Sequence, residues 1–430
     1  MKKLFVFILA AAVLPACCNC GKPKSIIPAQ APLGAEGRAA LNKLVSETVK
    51  ASEAKLELAV EEVVDSLAYP TYGDKSSGTA HWRTFASRNW VSGFWPGCLW
   101  YEYALTGNEK LKRAAERWTA GIEAQKFNTK SHDLGFRFMC TFGNGIRFDS
   151  SLEDSYKPLI LTAAQTLSGL WHPELGVIGS NWDSSKARER LGEGYVPCIV
   201  DIMMNLEIFF WAAENGGNPE WTSMCLQHAD KTWRDFVRED GGTFHIVRYD
   251  AKTGEVIEKG QLQGDTAGST WSRGHSWLVY GLVLCYRFTH DQIWLDRAKK
   301  AADYFIRNLN PDGIANWDFQ STEAYTDASA SAVVCSALYE MITILPEGKE
   351  KDYYEFQADR MLASLCSPAY FLGADSPCLL DHSVRYFHIR DTQKDGHQQA
   401  NIDEPCVFAD YYLLEALYRY SKIHNLNTRP

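Results

Sequence analysis

The sequence predicts an all-α protein, an (α/α)6 barrel in which six helical hairpins close into a toroid. Three observations lead there. A theme of aromatic-rich helix, short polar turn and second helix recurs as LWYEYALTGNEKLKRAAERW, IFFWAAENGGNPEWTSMCLQHADKTW, LVLCYRFTHDQIWLDRAKKAADYF and LYEMITILPEGKEKDYYEFQADRML. Loops carrying Gly beside aromatics and lone polar residues separate these units, at 132–136, 176–182, 242–250, 313–319 and 379–390. A chain of 430 residues that is 46% hydrophobic and 13% aromatic has the apolar surface to fill the continuous core that stacked hairpins create. Variable repeat length with aromatic loops favours a closed ring over an open solenoid, and closure gathers the loops around one mouth.

At the N-terminus, Lys2 and Lys3 precede an apolar run from Leu4 to Leu14 that is too short to span a bilayer and fits a secretory signal over residues 1–16. The run ends in Leu14-Pro15-Ala16-Cys17, and a small residue before Cys resembles the bacterial lipobox. Cys17 is therefore the expected lipidation site, with ordinary signal cleavage nearby as the competing reading. Residues 17–39 are expected to form a flexible lipidated linker and residues 40–430 a single barrel domain, carried by an exported lipoprotein of the periplasm or outer membrane. The first barrel element is the amphipathic stretch from Leu41 to Leu67, whose apolar positions recur at helical spacing.

Composition excludes several classes. A net charge of −9, with no basic run beyond the first three residues, argues against a nucleic-acid surface. The nine cysteines from Cys98 to Cys406 lack CxxC spacing, which speaks for buried thiols rather than a metal centre. GxSxG, HExxH, Walker A and a strand-linked GxGxxG are absent, so neither a metal nor an organic cofactor is expected.

The chemistry starts at Asp201, a carboxylate set in the apolar run Cys198-Ile-Val-Asp-Ile-Met-Met-Asn-Leu206. Burying an ionised carboxylate without partners is costly, so such a residue either pairs, caps the following helix, or works as an acid. A second acid, Asp133, follows His132 in Ser131-His-Asp-Leu-Gly-Phe136, and its competing reading is a loop residue bonding backbone amides. Two acids in one cavity share protons unequally, which is how glycosidic chemistry obtains an acid and a base from identical side chains. Around them the sequence offers Trp90 and His245 and, in what reads as a loop, Gln263, Trp271, Arg273 and Trp277. Flat apolar faces, hydrogen-bonding groups and a guanidinium are what a sugar acid requires, although each of these residues also has a plain structural reading.

These residues resemble the unsaturated glucuronyl hydrolases of glycoside hydrolase family 88. The resemblance rests on seven ordered blocks: NWVSGFWPG (89–97), HDLGF (132–136), IVDIMMNL (199–206), GTFHIVRYD (242–250), QGDTAGSTWSRGHSW (263–277), YTDASASA (325–332) and FADYYLLEAL (408–417). It implies an (α/α)6 barrel that removes a terminal 4,5-unsaturated uronic acid from lyase-generated, glycosaminoglycan-type oligosaccharides by hydrating a vinyl ether. By the same resemblance Asp201 is the general acid and base, Asp133 assists, and Trp90, His132, His245, Gln263, Trp271, Arg273 and Trp277 contact the substrate. The chain departs from the family's RGQAW pattern at His275, where an effect on local polarity or pH response is expected. Competing functions are an unsaturated rhamnogalacturonyl hydrolase acting on pectin fragments and a non-catalytic glycan-binding lipoprotein. Sulfation preference is expected to reside in the loop from Arg390 to Asp403.

Overall fold

The computed structural model describes residues 32–386 and 402–429. Cys17, the signal segment and most of the expected specificity loop at 390–403 lie outside the described residues. The helices alternate between two kinds. One kind is amphipathic and forms an outer layer: α1 (Ala35–Glu62), followed after α2 (Phe94–Thr106) by α3 (Glu109–Ala120). In α3 the buried residues are Leu111, Ala114, Ala115, Trp118 and Thr119, a single stripe at helical spacing. The other kind, of which α2 is the first, is apolar on nearly every side and so belongs inside.

The alternation continues around the molecule. An inner segment runs through α4 (Leu134–Phe138), a π-helical turn (Met139–Gly143) and α5 (Asn144–Phe148), and α6 (Glu153–Ser168) covers it. After the short α7 (Ser185–Leu191) come α8 (Ile202–Glu214) inside and α9 (Glu220–Phe236) outside. Then α10 (Ser272–Thr289) pairs with α11 (Gln292–Arg307), α12 (Ala328–Ile344) pairs with α13 (Lys349–Leu365), and α14 (Val407–Ile423) ends the inner ring. Around that ring α2 packs on α14, α14 on α12, α12 on α10, α10 on α8 and α8 on α4, with the π-helical turn returning to α2. The first and last inner helices thus close the barrel. A Cβ on Gly97 of α2 would meet Tyr411 Cε2 of α14 at 2.5 Å, so that seam needs a glycine.

Glu415 in α14 sits at the centre of the ring as a buried carboxylate. It accepts hydrogen bonds from Tyr101 (2.7 Å) of α2, Tyr280 (2.9 Å) of α10 and Ser336 (2.7 Å) of α12, and pairs with Arg419 (3.2 Å) one turn along. A charge so satisfied links four inner helices and tolerates burial. All nine cysteines from Cys98 to Cys406 are buried, as their spacing suggests, and unpaired among the described residues.

Short antiparallel strands decorate the barrel: β1 (Tyr69–Asp74) with β2 (His81–Phe85), β3 (Trp171–His172) with β4 (Val177–Ile178), and a sheet of β5 (Tyr195–Ile199), β6 (Ile246–Asp250) and β7 (Val256–Gly260) in that order. The last sheet matters most for the site, because its register places Ile199 opposite Ile246. The segments entering and leaving these strands are thereby held together.

Three local expectations are corrected. HDLGF, read as a loop between hairpins, opens an inner helix, since Leu134, Phe136 and Phe138 are all buried in the core. Ser272 to Trp277, also read as a loop, is the first turn and a half of α10, which puts Arg273 and Trp277 four residues apart on one helix face. The N-terminal helix begins at Ala35, inside the expected linker.

Candidate active site

A cleft of about 610 Å³ brings together Trp90, His132, Asp133, Asp201 and Gln263 from four separate sequence blocks. Asp201 and Asp133 occupy corresponding places. Each is the residue immediately before an inner-ring helix, α8 and α4 respectively, and neither side chain makes a capping hydrogen bond. An Asp in that position ordinarily accepts from the backbone N–H groups of the first turn. At α8 the need is met internally, because Met203 N donates to Val200 O and Met204 N to Asp201 O, both at 3.1 Å. At α4 it is met by a residue of the neighbouring helix: Phe136 N donates to Asn205 Oδ1 at 3.0 Å. Asp201 is therefore not a helix cap, and Asp133 bonds no first-turn amide.

Each carboxylate faces an imidazole. The Nδ1 of His245 accepts from the backbone N–H groups of Leu262 (3.3 Å) and Gln263 (3.2 Å), which leaves the ring proton on Nε2. That atom stands 3.3 Å from Asp201 Oδ2, near enough for attraction but not aligned as a hydrogen bond, and both atoms are sealed from solvent, with no other partner among the described residues. His132 repeats the pattern: Asn181 N donates to its Nδ1 at 3.2 Å, and its Nε2 lies 3.5 Å from Asp133 Oδ1. His245 reaches Asp201 through the β5–β6 register, supported by the bond from Val200 N to His245 O at 3.0 Å.

Not every expected contact reaches the cleft. Trp271 is buried against the His245 ring, with centroids 4.6 Å apart. Trp277 is fully buried behind Phe136 and Tyr412. Arg273, expected to meet the substrate carboxylate, is 1% exposed. Its guanidinium pairs with Asp327 (3.0 Å), donates to the carbonyls of Val384 (2.6 Å) and Arg385 (3.0 Å), and reaches Gln263 Oε1 at 3.2 Å. These residues back the wall rather than face the cleft. His275 is also remote. It is wholly buried, accepts at Nδ1 from Thr243 Oγ1 at 2.6 Å, and donates through Nε2 to Ala301 O at 2.8 Å. Burial pushes it down to about 4, so it carries no charge switch in the neutral range.

The cleft also contains residues the sequence reading passed over, among them Arg88, Lys130, Arg137, Trp182, Arg385 and Tyr386. Arg88 sits two residues before Trp90, and Arg137 directly follows HDLGF, so the signal was adjacency to blocks already singled out. Trp182 lies 5.7 Å from the His245 ring, its backbone N–H donates to Ser180 Oγ at 3.0 Å, and Asp183 follows it in the chain. Asp183 is buried, which alone would raise it, yet it is held below the usual carboxylate range by Arg248, whose Nε bonds it at 2.7 Å, and by the Tyr195 hydroxyl at 2.8 Å. Burial lowers Arg137 to about 10 despite the nearby Asp133, and among the described residues its Nη1 has no partner.

A pair of carboxylates at the mouth of an (α/α)6 barrel, with indole faces beside them and cations at the rim, defines a glycosidase. No protein-family model matches the chain. It is similar to the unsaturated glucuronyl hydrolase of Formosa agariphila, 37% identical over 340 residues that cover 77% of this chain and 80% of that protein. It is also similar to the unsaturated chondroitin disaccharide hydrolase of Streptococcus agalactiae, 28% identical over 89% of this chain and 94% of that one. Among solved structures, an unsaturated glucuronyl hydrolase specific for heparin matches with a TM-score of 0.80 and 30% identity, covering 90% of this chain and all of that one. The chain belongs to the unsaturated glucuronyl hydrolases.

Proposed function

We propose that this hydrolase removes a terminal 4,5-unsaturated uronic acid from glycosaminoglycan-type oligosaccharides left by lyases, by hydrating the vinyl ether. The observation that carries the reading is the Asp201–His245 contact. With the His245 ring 3.3 Å from Oδ2 and that oxygen sealed from solvent, Oδ1 is the oxygen that can hold a transferable proton, and Asp201 lines the cleft. Asp201 delivers that proton to carbon 4, and positive charge develops at carbon 5 and the ring oxygen. Asp133, across the same cleft, stabilises that charge as a carboxylate. Water then attacks carbon 5, Asp201 takes its proton, and the resulting hemiketal opens to release the remaining sugar chain. Trp90 and Trp182 offer faces for the ring, and Arg88, Lys130 and Arg385 offer charge to an anionic sugar.

The names of the similar proteins, chondroitin for one and heparin for another, favour a glycosaminoglycan product over a pectin fragment. Unsaturated chondroitin, heparin and rhamnogalacturonan disaccharides, followed by loss of the ultraviolet absorbance of the double bond, decide the matter. Turnover of a glycosaminoglycan disaccharide is expected, and turnover of the pectin product alone would overturn the reading. A tight glycan binder with no turnover on any of them would establish the non-catalytic alternative.

Export with a lipid tether is part of the same proposal and rests on Lys2, Lys3, the apolar run and Cys17. Cys17→Ala should move the protein from the membrane fraction to the soluble one. An unchanged distribution refutes the tether.

A further inference from the structure

We propose that Asn205 is a positioning residue that keeps Asp133 available to the substrate by taking over its capping role. The inference rests on the proposed roles of Asp133 and Asp201. Phe136 N is one of the first-turn donors that a helix cannot satisfy from within, and Asp133 stands at the position whose side chain normally satisfies it. Instead Asn205 Oδ1 accepts that bond at 3.0 Å from the facing helix, and the Asp133 side chain makes no capping bond. Asn205 is 1% exposed, lies one turn beyond Asp201, and extends Nδ2 to within 3.5 Å of the Asp201 carbonyl. One amide therefore touches the local backbone of both acids. The approach is close enough to require Gly135, where a Cβ would meet Asn205 Cα at 2.6 Å and Asn205 O at 2.8 Å.

Removing the amide acceptor leaves Phe136 N unsatisfied in the core, and the Asp133 carboxylate is the nearest group built to recapture it. Recapture turns Asp133 away from the developing charge while Trp90, Trp182 and the cationic rim remain in place. The expected signature is a fall in kcat with little change in KM.

The test is a double-mutant cycle of Asn205→Leu and Asp133→Ala, with turnover of an unsaturated chondroitin disaccharide and melting temperature measured for each protein. Asn205→Leu alone should lower kcat about 100-fold with KM within about threefold of wild type. In the Asp133→Ala background, where nothing remains to be recaptured, the same change should cost less than about threefold. Equal costs in the two backgrounds, or a parallel rise in KM, overturn the proposal in favour of a packing role. Should Asn205→Leu not fold, Gly135→Ala separates the same two helices and is subject to the same comparison. Asp201→Asn run alongside keeps the two readings apart. If it retains turnover, the assignment of the site fails; if it is inactive while Asn205→Leu keeps its kcat, only the role of Asn205 fails.

Discussion

Two imidazole–carboxylate pairs flank this cleft, built by different means. His132 and Asp133 are neighbours in the chain, and their 3.5 Å approach follows from one turn before α4. His245 and Asp201 come from separate segments and meet at 3.3 Å because β5 and β6 pair with Ile199 opposite Ile246. Both rings use backbone N–H groups to fix the proton on Nε2, so both present a donor to their acid. The difference lies in enclosure. The two acid side chains are about equally exposed, 12% for Asp201 and 13% for Asp133, but Asp201 Oδ2 and His245 Nε2 are closed off from solvent, whereas the His132 side chain is 8% exposed. A local pair whose imidazole lines the cleft suits a standing anion; a pair whose facing atoms are clamped by a sheet and shielded suits a group that must give up and regain a proton in a fixed direction.

If that division holds, Asp201→Asn should lower kcat by about 10⁴-fold while the melting temperature stays near wild type, as single-turnover kinetics and calorimetry will show. Retained turnover breaks the comparison outright. The imidazoles should follow in unequal measure: His245→Ala is expected to cost about 10³-fold in kcat and His132→Ala about tenfold, because only the first removes the polar group that faces a carboxylate oxygen shielded from solvent. Equal losses in side-by-side steady-state kinetics would mean that the enclosure of Asp201 has no catalytic consequence.

The smallest effect belongs to a histidine outside the cleft. Burial lowers His275 to about 4 and His228 to about 3, against an ordinary value of 6.5. Between those limits the unfolded chain binds more protons than the folded one, so their contribution to stability is present above about pH 6.5 and is lost as the pH falls toward 4. Each ring contributes a slope of at most about 1.4 kcal/mol per pH unit. His275→Gln should flatten the acid limb of a melting-temperature profile and leave the neutral activity unchanged. An identical acid limb would show that His275 takes up no proton on unfolding.

Legibility in the sequence followed the distance along the chain over which each feature is made. Four hairpins could be read because their helices are contiguous and joined by short polar turns. The inner segment from Leu134 to Phe148 could not, since it is short, holds Gly135, Gly143 and Gly145, and passes through a π-helical turn. Asp201 and Asp133 stood out as acids beside apolar residues, and the resemblance supplied their roles. Arg273 was read as a substrate contact because a guanidinium between two indoles looks free in one dimension. Its partner Asp327 lies 54 positions away, and only the fold brings the two to 3.0 Å. Asn205 was visible as the one amide in the Asp201 run, yet nothing local showed that it caps another helix.

The seam between α2 and α14 bears on how the chain acquires this shape. Helix α2 has its ring neighbour more than 300 positions downstream, as the bond from Tyr101 to Glu415 spans 314. During synthesis the hairpins between them can form in order from local contacts, but Phe94 and Tyr101 have no α14 to pack against until Val407–Ile423 has emerged. Ring closure is thus a late event of high contact order, and an apolar edge stays open for most of the time the ribosome takes to make the protein.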